Sequence, residues 1–173
     1  MRFLKLGIIS FIVFGLLITG ISLLLPSSVI ISRAIDISAS PAIVYTHINN
    51  LSKWKNWYAG YDSSNASVTA TAAGKGASLT TGSTVITIEN TSPSQINTVW
   101  KTGKSSILPS QFNFIVQRNS SHFTLQWQFI QKVKWYPWEK FASIVSDKAM
   151  GPILEESLEN LKNLAEETPA NTN

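Results

Sequence analysis

WEKFASIVSDKAMGPILEESLENLKNLA, residues 138–165, is the stretch whose reading decides the fold. Phe141, Ile144, Val145, Ala149, Ile153, Leu154, Leu158, Leu161 and Ala165 step by three and four, the spacing of one buried helical face. Lys140, Asp147, Lys148, Glu155, Glu156, Glu159 and Lys162 fall opposite. Gly151-Pro152 interrupts the run, and a proline inside a helix removes a donor and crowds the preceding turn at a cost of roughly 3 kcal/mol, so a kink is expected there. A helix this long with one apolar side needs a sheet to cover.

Composition bounds the rest. The 173 residues, 44% apolar, allow one domain of ordinary size once an apolar N-terminal segment is set aside. The net charge is +4, but the 14 Lys and Arg are scattered without a run or stripe, so no nucleic-acid partner is expected. The absence of cysteine excludes disulfides, thiolate metal sites, a cysteine nucleophile and an acylated lipoprotein cysteine.

Leu6 to Leu25 carry no charge over 20 residues. As a helix they span roughly 30 Å, the thickness of a bilayer's hydrocarbon core. Arg2 and Lys5 precede the run, and the first basic residue beyond it is Arg33, which places the N-terminus in the cytoplasm and the main domain outside the cell membrane. The run is long for a signal peptide and no Ala-x-Ala-like site precedes Val29, so a retained single-pass signal anchor is favoured over a cleaved one.

Beyond Pro26 the pattern turns to strands. Val29 to Ser38 is rich in β-branched residues and ends at Ser40-Pro41, where Ser40 is placed to cap a helix with proline at its first position. That helix runs from Pro41 to about Asn49, with Ile43, Val44 and Ile48 inward, and a second short helix, Leu51 to Trp57, sets Trp54 and Trp57 on one face. A polar turn at 60–65 leads to strands near 67–73, 77–80, 83–90 and 95–102, divided by Gly and Pro turns. In Gln111–Gln117 and His122–Ile130, Phe112, Phe114, Val116, Phe123, Leu125, Trp127 and Phe129 alternate with polar residues. These two strands read as an antiparallel hairpin across the polar Arg118–Ser121 connection. An antiparallel sheet with one apolar face requires the C-terminal helix to lie across it.

The order is strand, two short helices, about six further strands and a long helix. The opening Val29–Tyr45, the Trp54-Lys55-Asn56-Trp57 element, the Gly74-Lys75-Gly76 turn and the ending Leu158-Glu159-Asn160-Leu161-Lys162 together resemble the SRPBCC superfamily. This superfamily contains START domains, the birch-pollen allergen and the polyketide cyclase/dehydrase and lipid-transport proteins. The likeness covers about residues 28–166, and with the preceding apolar helix it resembles a membrane-anchored bacterial branch. It implies an α+β helix-grip fold, an antiparallel sheet of about 6–7 strands wrapped round the C-terminal helix, with a cavity between them for a hydrophobic small molecule or lipid. It implies no single catalytic motif. One departure bears on the pocket mouth: members of this branch often place a longer stretch after the Gly-x-Gly turn, where this chain has only Ala77 to Gly82. The expected organisation is therefore 1–27 cytoplasmic N-terminus and anchor, 28–167 helix-grip domain, and 168–173 polar tail.

Catalytic chemistry is sparse. His47 and His122 stand apart from other ligating or acid/base residues, so no metal or cofactor is expected. Asp36, Asp62 and Glu89 are isolated, and the other seven of the ten acids lie at Glu139–Glu167, leaving no paired carboxylates. No nucleophile-elbow or phosphate-loop pattern occurs. Arg33 breaks the apolar alternation of its strand, and either reaches solvent or enters the cavity. Trp135, Tyr136 and Trp138 beside Lys132 and Lys134 suit a membrane interface, a pocket rim or plain packing equally. The expected cavity walls are Ile86, Ile88, Ile96, Thr98, Trp100, Phe112, Phe114, Leu125 and Trp127 on the sheet, with Met150, Leu154 and Leu158 on the helix. Three functions stay open: a noncatalytic membrane-tethered binder or carrier of an apolar molecule, a cyclase-type enzyme, and an interaction module whose cavity is filled by its own side chains. A cyclase would need Arg33, His47 or an acid inside the cavity.

Overall fold

A computed structural model describes residues 2–24, 27–103, 107–116, 122–133 and 136–167, with the side chains of 2 and 140–146 excepted. The chain begins with helix α1 (Arg2–Leu24), followed by strand β1 (Ser28–Ile37) and helix α2 (Pro41–Asn49). Two 3-10 turns, Leu51–Asn56 and Ser63–Asn65, precede strands β2 (Ala66–Val68), β3 (Ser78–Thr81), β4 (Thr84–Ser92), β5 (Gln95–Thr102), β6 (Leu108–Val116) and β7 (Phe123–Lys132). Helix α3 (Pro137–Glu167) ends the fold.

The seven strands form one sheet in the order β1-β7-β6-β5-β4-β3-β2. Every pair is antiparallel, and β1 closes against β7 from Ser28 opposite Lys132 to Ile37 opposite Phe123. The alternation read in the last two strands is the packing seen except at Val116, which is exposed at the end of its strand: Phe112, Phe114, Phe123, Leu125, Trp127 and Phe129 are buried, and they share one core with Leu154, Leu158, Leu161 and Ala165 of α3. Each such leucine contributes roughly 1.5–3 kcal/mol by leaving water, which is how the helix grips the sheet.

Local departures from the expected pattern have local causes. Ser40 occupies the N-cap of α2 but makes no side-chain cap bond; the turn is closed instead by the Ile43 amide donating to the Ser40 carbonyl at 3.0 Å. The Leu51 helix is 3-10, started by Asn50, whose side chain accepts from the Ser52 amide at 3.0 Å. The strand expected at 67–73 shrinks to Ala66–Val68, with Ala73 forming a lone bridge to Asn50. Gly74 and Gly76 both have positive φ, 78° and 87°, and their turn is pinned where the Gly76 amide donates to the Ile88 carbonyl. A bulge between Ile88 and Asn90 follows in β4, leaving Glu89 as the extra residue.

Helix α3 stays helical across Pro152. Its buried seam, however, is Gly151, Leu154, Ser157, Leu158, Leu161 and Ala165, whereas Ala149 and Ile153, expected on that face, are exposed. The reason lies in two close approaches. Arg33 of β1 reaches over Gly151, donating from Nε to Glu155 at 2.6 Å and from Nη1 to Asp147 at 3.1 Å. A Cβ on residue 151 would collide with Arg33 Nη2. Six residues on, Ser157 Oγ accepts from the Ala59 amide at 3.0 Å, which ties the chain just after the first 3-10 segment to the helix. Gly151 and Ser157, outside the expected apolar set, therefore lie in the seam. The 118–121 connection and the side chains of Phe141, Ile144 and Val145 lie outside the described residues.

Candidate functional site

The site is built from aromatic side chains. Trp54 and Trp57, three residues apart, are fully buried with ring centroids 4.7 Å apart. They meet Phe112 and Trp127 of the sheet, which stack on each other at 4.7 Å and 22°. Tyr58 closes edge-on against Trp100 at 5.4 Å, and Trp100 against Phe129 at 5.2 Å. The indole donors are used internally: Trp54 to the Ile48 carbonyl, Trp100 to Thr98 Oγ1 and Trp127 to Ser110 Oγ, at 2.8–2.9 Å. Each hydrogen bond removes an indole N–H that would otherwise be costly to bury.

This plug fills the part of the grip nearest the 3-10 segment. Towards the opposite end of α3 a groove of about 930 Å3 remains, within the usual range of small-molecule sites. The buried side chains of Trp100, Trp127, Phe129, Val133 and Leu154 back it, Leu108 and Met150 are half-buried at its flanks, and Ile107 and Ile153 are exposed. Tyr58, Thr84, Thr102, Gln131, Lys132 and Glu139 are the polar residues of its lining, with the Tyr58 hydroxyl lying beside Gly60.

Of the residues expected to wall a cavity, the structure brings Trp100, Trp127, Met150 and Leu154 to this groove. Ile86, Ile88, Ile96, Thr98, Phe112, Phe114, Leu125 and Leu158 lie in the buried interior instead, packed against other side chains. Tyr58 was missed, although it extends the 54, 57 face by one residue at i+4 from Trp54.

Electrostatics separate the groove from the rest of the fold. Burial pushes the Tyr58 phenol up to about 12, so it is a neutral hydrogen-bonding group at physiological pH. Burial, then the charge of Lys53, lowers His47, and neither His47 nor Arg33 lines the groove. Arg33 is committed to its carboxylates, Glu155 first and then Asp147, which raise its pKa further. The exposed Asp62 carboxylate accepts from the Ser64 amide and hydroxyl, which holds its pKa below the usual range. Among the described residues no cluster of His, Asp and Glu has the makings of a metal site.

One helix, Phe3–Leu24, is long and apolar enough to cross a membrane, and its side chains are largely exposed: Phe3 is 89% and Phe11 80% accessible.

No family model matches the chain, and no curated protein matches it in sequence. Solved structures do match. A START superfamily protein from Mycobacterium smegmatis superposes with a TM-score of 0.59 at 14% identity, over 80% of this chain and 97% of that one. Norcoclaurine synthase from Thalictrum flavum, in complex with dopamine and hydroxybenzaldehyde, gives 0.62 at 12% identity, over 83% and 89%. The di-domain ARO/CYC protein StfQ from the steffimycin biosynthetic pathway gives 0.62 at 12%, over 81% of this chain and 51% of its own length. The seven-stranded antiparallel sheet and its C-terminal helix are thus an α+β helix-grip fold, shared with the START superfamily protein and with StfQ.

Proposed function

We propose that the chain binds or carries a hydrophobic small molecule or lipid in the groove, without transforming it, while α1 holds the domain at the cell membrane with the N-terminus in the cytoplasm. The observation that carries this reading is a groove of about 930 Å3 backed by Trp100, Trp127 and Phe129, with no histidine or arginine among the described residues of its lining. A ligand there gains mainly by burial, at roughly 25 cal/mol per Å2 before binding costs are subtracted, so selection is by shape and size. The exposed apolar surface of α1 supports the anchor, and Arg2 and Lys5 ahead of it support the orientation.

The test is displacement of an anthroyloxy-stearate probe from the detergent-purified full chain. The parent protein and Glu156→Lys, exposed on α3, bind the probe; Leu154→Lys, which sets an ammonium in the groove, does not. An intact fold that binds no apolar probe would return the filled-core interaction module.

A cyclase-type enzyme is the second reading, favoured by one arrangement: Tyr58 in the groove with Lys132 and Glu139 also lining it, three groups able to hold or move a proton. Two of the structural neighbours are a synthase and an ARO/CYC protein. On this reading Tyr58→Phe would abolish turnover of a polyketide-like or aromatic aldehyde substrate; on the carrier reading it changes affinity alone.

A further inference from the structure

We infer that the groove opens onto the bilayer that α1 enters, so that its apolar ligand is exchanged with interfacial lipid and not through water. The inference rests on the binding reading above and adds to it the side from which the site is filled. Three observations on different parts of the chain converge.

The first is the tether. Helix α1 ends at Leu24 and β1 begins at Ser28, a separation that cannot exceed about 14 Å even fully extended. Its last residue is fixed to the domain, since the Val133 amide donates to the Ser27 carbonyl at 2.9 Å. The domain is therefore held within a few residues of the membrane surface by a defined end.

The second is strand register. Ser28 lies opposite Lys132, Leu108 opposite Trp100, and Thr84 opposite Thr102. The residues at the outer end of the groove, Thr84, Thr102, Ile107, Leu108, Lys132 and Val133, thus occupy the sheet end from which α1 departs. Helix α3 starts at this end too, four residues after Val133.

The third is what this end presents to its surroundings. Ile107 is 61% and Trp138 67% exposed, Tyr136 stacks on Trp138 at 5.0 Å and 4°, and Lys132 is exposed at the end of β7. Aromatic rings with a lysine are the chemistry of the headgroup region, where ring and aliphatic stem enter the acyl boundary and the ammonium meets phosphate. A lipid surface is the occupant that accounts for both the apolar and the cationic atoms at the place where the tether delivers the domain.

The natural chain has no cysteine, so single sites can be labelled directly. The full chain carrying Trp138→Cys or Val116→Cys, each labelled with the fluorophore NBD, is reconstituted into phosphatidylcholine/phosphatidylglycerol vesicles with nitroxide lipids of shallow or deep label. Val116 is the control, exposed at the opposite end of β6. NBD at 138 should be quenched several-fold by the shallow nitroxide and NBD at 116 left unchanged. Trp138→Asp should slow uptake of anthroyloxy-stearate from vesicles several-fold, with unchanged equilibrium binding of the same probe in detergent. Equal quenching at both sites, or unaltered uptake, overturns the inference. If instead the parent protein binds no probe in detergent, the binding reading itself has failed.

Discussion

Trp127→Ala should remove the centre of the aromatic plug. The Trp127 ring is fully buried, stacks on Phe112 and meets Trp57, Tyr58, Trp100 and Phe129 within 6.3 Å. Truncating a buried tryptophan costs roughly 3–5 kcal/mol through lost transfer energy and the cavity left behind. The same substitution strands Ser110 Oγ, 3% exposed, whose donor Trp127 Nε1 lies at 2.8 Å; an unsatisfied buried hydroxyl costs about 1–3 kcal/mol. A domain of this size shifts its Tm by about 2–4 °C per kcal/mol, so the two losses together, about 4–8 kcal/mol, should lower it by roughly 8–32 °C. Trp127→Phe separates the two contributions, since it keeps most of the ring and loses only the donor. Adding Ser110→Ala to Trp127→Phe should then restore part of the stability. The assay is thermal and urea unfolding of the full chain in detergent, followed by far-ultraviolet circular dichroism. A cost below about 1 kcal/mol for Trp127→Ala, against the 3–5 expected of a buried ring, would show that the plug does not organise the core.

Further outcomes follow from other parts of the fold. Gly151→Ala should stabilise more in an Arg33→Ala background than in the parent, by up to about 1 kcal/mol of helix propensity, because only there is the new methyl free of the guanidinium; equal effects by urea titration would contradict the Arg33 clamp. Since the Tyr58 pKa is raised by folding, the native state holds its proton where the unfolded chain has lost it, so this group's stabilisation is full below pH 10 and is lost as pH rises towards about 12. Tyr58→Phe should flatten that alkaline decline, and a spectrophotometric titration should lose a phenol ionising near 12. Carbonate washing should leave the full chain in the membrane pellet, and its release would contradict the anchor. Residues 28–167 without α1 should melt cooperatively, whereas a chain ending at Gly151 should not, because it lacks Leu154, Leu158 and Leu161 over the sheet face.

The strands were most legible where one face is packed and the other solvated. Phe112, Phe114, Leu125 and Trp127 alternate with polar residues, and period two has no rival interpretation there. The helix seam was less legible. Gly151 and Ser157 are interior because other elements come close to them, Arg33 in one case and the Ala59 amide in the other; hydropathy does not encode such proximity. For the same reason the sequence could not assign Arg33, whose partners Asp147 and Glu155 lie more than a hundred residues away. The position of the groove depends on how far seven large aromatic side chains fill the grip, a sum of volumes with no linear signature. Tyr58 did carry a signal, as the third aromatic in the 54, 57, 58 spacing, and a reading that followed the helical face one residue further would have reached it.

The most direct measurement on the central claim is native mass spectrometry of the full chain purified in mild detergent, before and after incubation with a mixed pool of fatty acids and sterols. The account predicts one apolar molecule per chain in the parent and in Glu156→Lys, and a bare chain in Leu154→Lys whose circular dichroism matches the parent's. A parent chain that stays bare in both conditions, with its fold intact, would contradict it.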